Sequence, residues 1–597
     1  MLWPLGVDGQ KCEEALVFEL LLRRYFSGDY FAKNAVGHDS SILTRMRSYR
    51  VRERLHEELL PHLLLARGVG PAEHEDFLHP DFVRDSHDPF LLPDMGVAVE
   101  RIRLAKEKGE KVAVWSDYDC DGIPGGVMLA EFLRTYGLAI THYIPHRHKE
   151  GYGLNKEGID ELAEAGNTLM ITIDLGTTEV EAIEYAKTKG IDTIVTDHHL
   201  EPEVLPAALA LINPKLAKSK YPFDGLCGAG VAWKLVQAIL LKDRPAGFAE
   251  GQEKWFLDLV GIATLSDMVP LVGENRMLAR NGLLVMRRGR RPGIAALLKL
   301  LRISAHTLTE DDITFMVSPR INAASRMDSP QAAAALLAAQ GEDESKTLAA
   351  ELNRINDMRK GLVAATVKEV NKRVAGMDLT LSPIIVMGNP NWRPGILGLV
   401  ANKLVEAHGK TVFLWGREGG DTIRGSCRSD GTVNIVELMQ SAGDAFGHFG
   451  GHAASGGFSL EEERVHTLPA RLNDAYTALG FGTAAVVEVV VDRELSLAEL
   501  PQAHQSLKQL APFGVGNEKP LFIFRGTTIA STRMFGKAQD HLEVQLEQGG
   551  ARVGGIAFFS TPDSFSKKVV AGERVDVVGH VEADWRGSPR IRVVDVL

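Results

Sequence analysis

The stretch from Lys111 to Pro214 constrains the fold more than any other. Short apolar runs, "KVAVWS", "THYIP", "TLMITID", "IDTIVTD" and "ALALINP", alternate with segments of helical periodicity, "GGVMLAEFLRTYG", "IDELAEAG" and "EVEAIEYAKTKG". Apolar runs alternating with helices describe the buried strands of a parallel, doubly wound sheet. Ligands of such sheets bind beyond the carboxyl ends of the strands. Three runs end in residues able to hold a metal. The first leads into Asp117, Asp119 and Asp121, the third into Asp174, and the fourth into Asp197, His198 and His199. A further acid, Asp267 in "ATLSDMVPL", follows an apolar helical stretch.

Six aspartates and two histidines converging on one edge are tolerable only if cations neutralise them. Oxygen-rich ligation with one or two imidazoles suits Mn2+ or Mg2+ better than structural zinc. Two such ions ~3.5–4 Å apart activate water and stabilise both oxygens of an in-line displacement at phosphorus. Each piece alone has a plainer reading. Asp-x-Asp-x-Asp is often a polar turn, and an Asp after a strand often caps the next helix. Cys120, between two of the acids, reads as a small buried side chain.

The remaining chain divides into recognisable stretches. Residues 1–95 read as a helical cap, from "EEALVFELLLRRYF" and "VRERLHEELLPHLLLARG". Residues 96–329 hold the parallel sheet and the helices after it, and 330–380 read as connecting helices. A second α/β region spans 381–484, opening on "SPIIVMG". Residues 485–597 carry short strands with glycine turns and read as a small β-barrel. With 45% hydrophobic residues among 597, each region can build a core. The net charge of −11 argues against a globally basic coat and leaves room for a local basic groove. Four scattered cysteines without a CxxC pair fit a reducing, cytoplasmic setting. No basic-then-apolar leader opens the sequence, and no uncharged apolar run reaches ~18 residues, so no signal peptide or membrane span is expected.

The motifs "DYDCDGI", "IDLG", "TDHHL" and "LSDMVPL" resemble, in order, those of the DHH phosphoesterases. From about residue 60 onward, "YIPHRHKEGYGLN", "LCGAGVAWKL", "SPRINAASRM", "NWRPGILGLVANKL", "RGSCRS", "FGGHAASGGF" and "LAPFGVGNEKPLF" follow the order of the RecJ family of single-strand-specific exonucleases. The resemblance implies an α/β multidomain chain. It would hold a parallel-sheet DHH domain, a DHHA1-like substrate-binding domain joined by a long helix, and a C-terminal OB-fold barrel. It implies a metal-dependent exonuclease acting 5′ to 3′ on single-stranded DNA, with two Mn2+ or Mg2+ ions. A single-strand-binding protein or a helicase is the implied protein partner. A DHH phosphoesterase for short oligonucleotides or nucleotide phosphates is the alternative.

By the same resemblance, Asp119, Asp121, Asp174, His198 and Asp267 would be metal ligands, with Asp174 as the bridge. Asp117 would be a ligand or a neighbour of one. His199 would contact the scissile phosphate and Asp197 would orient an imidazole. Arg320, Asn322 and Arg326 would touch substrate. So would Arg424, Ser426, Arg428 and Ser429, together with Gly450, Gly451 and His452, where glycines let backbone N–H groups approach a phosphate. On the barrel, Arg533, Phe535, Lys537, Trp585, Arg586, Arg590 and Arg592 are groove candidates. Three departures from the family pattern stand out. Pro124 opens the helix after the acids, Leu175 and two threonines follow Asp174, and Arg393 replaces a common histidine.

Overall fold

The computed structural model describes residues 47–597, except 148–149, 151–152, 328, 378, 380–381, 419–421, 482–486, 537–538 and 585. The helical expectation for residues 1–46 and the groove candidates Lys537 and Trp585 lie outside the described residues.

The described chain opens on a strand, β1 (Arg47–Val51), where the sequence reading expects part of a helical cap over 1–95. Helix begins only at Leu59–Leu65. The cause of this correction is tertiary. The segment alternates, so Tyr49 and Val51 share a face and pack against the core of Val491, Leu521, Ile523 and Val578. Its backbone pairs in parallel with Val487–Val491, and the Tyr49 hydroxyl donates to Asp595 Oδ2 at 2.8 Å. Partners this distant in sequence override local helical periodicity.

The chain forms two compact units. One comprises Val69–Arg359 and Leu510–Glu518. Its sheet contains β2 (Lys111–Ser116), β3 (Ala139–Tyr143), β4 (Asn167–Ile173), β5 (Asp192–Thr196) and β6 (Ala210–Ile212). The order is β3-β2-β4-β5-β6, and every pairing is parallel. Alternate residues of each strand serve opposite faces. Val112, Val114, Leu169 and Ile171 pack against helices Met95–Lys108, Gly122–Tyr136 and Gly228–Lys242. Ala113, Trp115, Met170 and Val195 pack against helices Lys156–Glu164 and Val180–Thr188. Each fully buried branched side chain contributes roughly 1.5–3 kcal/mol relative to exposure. The strand ends, and whatever follows them, are therefore held firmly. Helices Leu257–Ser266, Gly273–Arg287 and Ser318–Arg326 complete the side of the unit that matters below.

The chain leaves this unit within the 33-residue helix Glu342–Val374. The other unit contains β7 (Ile384–Gly388), β8 (Thr411–Gly416), β9 (Ile423–Arg428), β10 (Phe449–His452) and β11 (Ser455–Leu460), in the order β10-β11-β9-β8-β7. Only β7 and β8 run parallel. After β12 (Val487–Val491) and the short β13 (Arg493–Glu494) come β14 (Phe522–Phe535), β15 (His541–Gln548), β16 (Ala551–Ala557), β17 (Arg574–Ala583) and β18 (Pro589–Val596). They pair β14-β15-β16-β18-β17, and β17 pairs back to β14, so five strands close a barrel. Ile529, Leu542, Leu546, Val577 and Val593 fill its interior. Among the described residues no helix is long and apolar enough to cross a membrane.

Candidate metal centre

Each acid reaches the sheet edge by a different local device. The Asp117 N–H donates to the Ile173 carbonyl at 3.1 Å, which extends the β2–β4 ladder by one rung. Asp119 Oδ1 accepts the N–H groups of Asp121 (2.8 Å) and Gly122 (3.1 Å), closing the turn into helix Gly122–Tyr136. Pro124 lies in the first turn of that helix, where it costs no internal hydrogen bond. Asp121 accepts from Gly228 N–H at 2.6 Å and Ala229 N–H at 2.8 Å. It thus caps helix Gly228–Lys242 from elsewhere in the sequence, and the helix N-terminus favours its negative charge.

Asp174 follows β4 with φ 63°. A left-handed non-glycine residue carries roughly 1–2 kcal/mol of strain, and such strain collects at functional sites. The Asp174 N–H is anchored on the Thr196 carbonyl at 3.0 Å. Gly228 must be glycine, because a Cβ there would lie 2.5 Å from the Asp174 Cβ. Asp267 caps the carboxyl end of helix Leu257–Ser266 and is followed by a second left-handed residue, Met268 (φ 59°).

The side chains converge on His198. Its Nε2 lies 3.1 Å from Asp174 Oδ1, 3.6 Å from Asp267 Oδ2 and 3.7 Å from Asp121 Oδ2. Donor atoms of Asp121, His198 and Asp267 lie within 4.8 Å of one another. The same holds for Asp117, Asp119 and Asp174, and for Asp174, His198 and His199. Asp174 and His198 each belong to two of these triads, so neighbouring triads share donor residues. All eight predicted residues are in one place.

The electrostatics of the cluster favour a cation among its carboxylates. Burial first, and neighbouring carboxylates second, hold the Asp117, Asp174 and Asp267 carboxyls well above their usual range. Asp121 is pushed up to about 7 by burial and by the charge of Asp119, against the pull of its backbone donors. Asp117 Oδ1 and Asp174 Oδ1 are buried and accept no hydrogen bond, a cost of ~1–3 kcal/mol each if left so. Burial, with the nearby charges of His199 and Lys215, brings the His198 imidazole down to about 3. A lowered imidazole pKa favours the neutral ring, the form that ligates metals. Carboxylate oxygens with imidazole nitrogen fit Mn2+ or Mg2+.

Asp197 is different. Burial would raise its carboxyl, but His199 and Thr177 hold it below the ordinary carboxylate range. Its Oδ1 accepts from His199 Nδ1 at 2.7 Å and its Oδ2 from Thr177 N–H at 2.9 Å. Asn213, directly after β6, is fully buried and is not among the candidates that the sequence offers. Its Nδ2 donates to Thr177 Oγ1 (3.0 Å) and to the His199 carbonyl (2.8 Å). A polar residue immediately after the fifth strand was the available signal. Arg147, 4.9 Å over the Tyr118 ring, is a second unflagged residue, and its charge partly offsets that of Asp117.

The residues expected to touch substrate fall into two groups. Arg320 is buried, and donates from Nε to Asn353 Oδ1 (3.0 Å) and from Nη1 to the Met316 carbonyl (2.5 Å). Asn322 Oδ1 accepts from Cys120 N–H at 2.9 Å, bracing the acid loop itself. Arg326 ends the same helix, Ser318–Arg326, and Cys120 is buried, with its thiol pushed up to about 12 by burial. In the other unit, Arg424, Ser426 and Arg428 alternate along β9 and so share one face, while Cys427 turns into the core. Across β11, Ser426 pairs with Gly457, and Gly457 with Gly450. Gly450, Gly451 and His452 are exposed on β10. Ser429 is used by the fold: its hydroxyl donates to the Val433 carbonyl at 2.6 Å. Arg393 pairs with Glu418. On the barrel, Arg533 and Arg590 pair with Glu543 and Glu582, so neither is an unopposed charge.

Comparison with known proteins agrees with this architecture. Residues 111–264 match the DHH family N-terminal domain, 381–478 the DHHA1 domain, and 491–594 the RecJ OB domain. The single-stranded-DNA-specific exonuclease RecJ of Bacillus subtilis is 32% identical over 557 residues, covering 91% of this chain and 68% of the relative. Its counterpart in Escherichia coli is 32% identical over 522 residues, covering 83% and 89%. The crystal structure of RecJ from Thermus thermophilus with Mn2+ superposes with a TM-score of 0.74 at 27% identity, covering 93% of this chain and 80% of that one. The Mg2+ complex of the same protein gives 0.70 at 26% identity, covering 93% and 79%. The chain belongs to the RecJ family, with the DHH, DHHA1 and OB domains in the order its motifs suggest.

Proposed function

We propose that this chain is a metal-dependent exonuclease that hydrolyses phosphodiester bonds of single-stranded DNA from the 5′ end, in DNA repair and recombination. The observation that carries the reading is the convergence of Asp121, Asp174 and Asp267 on His198, with buried oxygens of Asp117 and Asp174 that accept no hydrogen bond. Relatives named single-stranded-DNA-specific exonuclease, 32% identical over most of their length, supply the substrate class.

Asp121, His198 and Asp267 would hold one Mn2+ or Mg2+ ion, and Asp117, Asp119 and Asp174 a second. When bound, the ions supply Lewis acidity at phosphorus and lower the pKa of water. Asp197 holds the His199 proton on Nδ1, because a carboxylate only accepts. That fixes the ring so that Nε2 addresses the scissile phosphate. Arg326, Arg424, Ser426 and Arg428, with the Gly450–His452 backbone, would receive phosphates of the strand. A permanent guanidinium charge suits this task, because it is never titrated and forks onto phosphate oxygens. Arg320 and Asn322 act from within the fold, on Met316, Asn353 and Cys120. The chain would work in the cytoplasm, on strands presented by a helicase or a single-strand-binding protein.

The test is digestion of a ~20-nucleotide single strand, labelled at either end, beside its duplex and a dinucleotide, with Mn2+ or Mg2+. Early release of the 5′ label from the single strand is expected. Preferred cleavage of the dinucleotide would replace this reading with that of a small-substrate phosphoesterase.

A further inference from the structure

The motif "LAPFGVGN" does no work in the metal centre as described, yet Leu510–Glu518 belongs to the unit that holds it. The segment is gripped by Arg276, whose side chain is 2% exposed. Arg276 Nη1 donates to the carbonyls of Leu510 (2.9 Å) and Pro512 (3.4 Å), Nη2 to that of Ala511 (3.2 Å), and Nε to that of Phe77 (2.8 Å). Asn517, fully buried, closes the segment on itself by donating from Nδ2 to the Leu510 (2.9 Å) and Pro512 (2.8 Å) carbonyls.

What the segment touches is the loop that leaves Asp267. The Leu271 N–H donates to the Val515 carbonyl at 2.7 Å. Gly514 lies so close to Leu271 that a Cβ would fall 2.4 Å from Leu271 Cδ1. A Cβ on Gly516 would lie in ordinary contact with Pro270, at 3.6 Å. From the other side, Asn275 Nδ2 donates to the Pro270 carbonyl at 3.0 Å. Between Asp267 and these anchors stands only the left-handed Met268 with Val269. A left-handed methionine persists only where its surroundings over-determine it.

We propose that Arg276 and Asn517 are positioning residues of the metal centre. Through Leu510–Glu518 they lock Pro270 and Leu271, and so fix the direction in which Asp267 presents its carboxylate. The inference rests on the reading of Asp267 as a ligand. Supporting groups around a ligand are worth about 10–100-fold in metal affinity. A single ammonium cannot reach the carbonyls of Phe77, Leu510, Ala511 and Pro512 together as the guanidinium fork does, which leaves Leu510 and Pro512 held by Asn517 and loosens the segment.

The experiment is calorimetric titration of the full chain with Mn2+, without DNA, for wild type, Arg276→Lys, Gly514→Ala and Asp267→Asn. Nuclease rates against Mn2+ concentration accompany it. Arg276→Lys should weaken Mn2+ binding about tenfold, and raise the Mn2+ concentration for half-maximal rate by the same factor. At saturating Mn2+ the rate should return to within about twofold of wild type, since no group that touches substrate is lost. Gly514→Ala, which asks only the Leu271 side chain to move, should shift binding in the same direction by about threefold. It serves if circular dichroism shows Arg276→Lys to be unfolded. Folded Arg276→Lys and Gly514→Ala chains that bind Mn2+ as wild type does would overturn the inference. If Asp267→Asn also binds Mn2+ unchanged, it is the ligand reading that has failed.

Discussion

His199 Nδ1 sits 2.7 Å from Asp197 Oδ1, and Asp197 is itself nearly inaccessible to solvent. The pair sets the charge of the imidazole. Burial would lower the His199 pKa, but the hydrogen bond and charge of Asp197 outweigh it and raise it. In chelator-treated Asp197→Asn the largest raising influence is gone, and burial is opposed only by the charges of Asp117 and Asp121. The His199 ring should then titrate lower than in wild type, as read by proton–nitrogen NMR of the ring. Hydrolysis should fall about 10–100-fold. A His199 pKa unchanged by the substitution would contradict the pairing.

Stability should depend on pH with a sign set by the crowded carboxylates. The folded pKa values of Asp117, Asp174 and Asp267 are raised, and that of Asp121 reaches about 7. The folded chain therefore binds more protons than the unfolded one from about pH 4 upward. Stability falls wherever the native state binds the excess protons. The metal-free protein should lose melting temperature steadily between about pH 4 and beyond pH 7. Added Mn2+ should restore more at pH 8 than at pH 5, because its ligands must be deprotonated. A melting temperature that is flat with pH in chelator would show that the cluster is not mutually repulsive.

Asn213→Ala should cost about 1–3 kcal/mol in urea unfolding, from stranding Thr177 Oγ1 and the His199 carbonyl. Activity should fall with it, since the backbone carrying His199 loses its tie. Unchanged stability would mean that the contacts of this buried amide are replaceable.

Arg424 and Arg428 share a face of β9 while Cys427 lies in the core. Arg424→Ala and Arg428→Ala should each weaken single-stranded DNA binding equally across sequences. Each should lower the slope of log affinity against log salt by about 1 or slightly less. A loss confined to particular bases would argue for base contact instead.

Much of the site is legible in the sequence because a parallel sheet obeys a simple rule. β2, β4 and β5 are neighbours in the sheet, so the residues after each strand meet at one edge. That rule places Asp117 to Asp121, Asp174 and Asp197 to His199 without any knowledge of packing. Asn213 obeys the same rule, but a lone asparagine carries too little chemistry to be noticed. Arg276 and the Leu510 carbonyl are 234 residues apart, and no local pattern announces such a bond. β1 was hidden for the same reason, since its partner strand, Val487–Val491, is far downstream. Arg320 and Asn322 carry substrate-binding residue types, and only geometry shows that they also bond to Met316, Asn353 and Cys120.

The most direct test is the rate of nucleotide release from end-labelled single-stranded DNA in Mn2+, for wild type and Asp174→Ala, with Mn2+ binding followed on the same preparations. Asp174 belongs to two of the three donor triads. Its loss should remove activity by on the order of 10³-fold or more, weaken Mn2+ binding, and leave circular dichroism unchanged. A folded Asp174→Ala chain that degrades the strand at the wild-type rate would contradict the assignment of this edge as the catalytic centre.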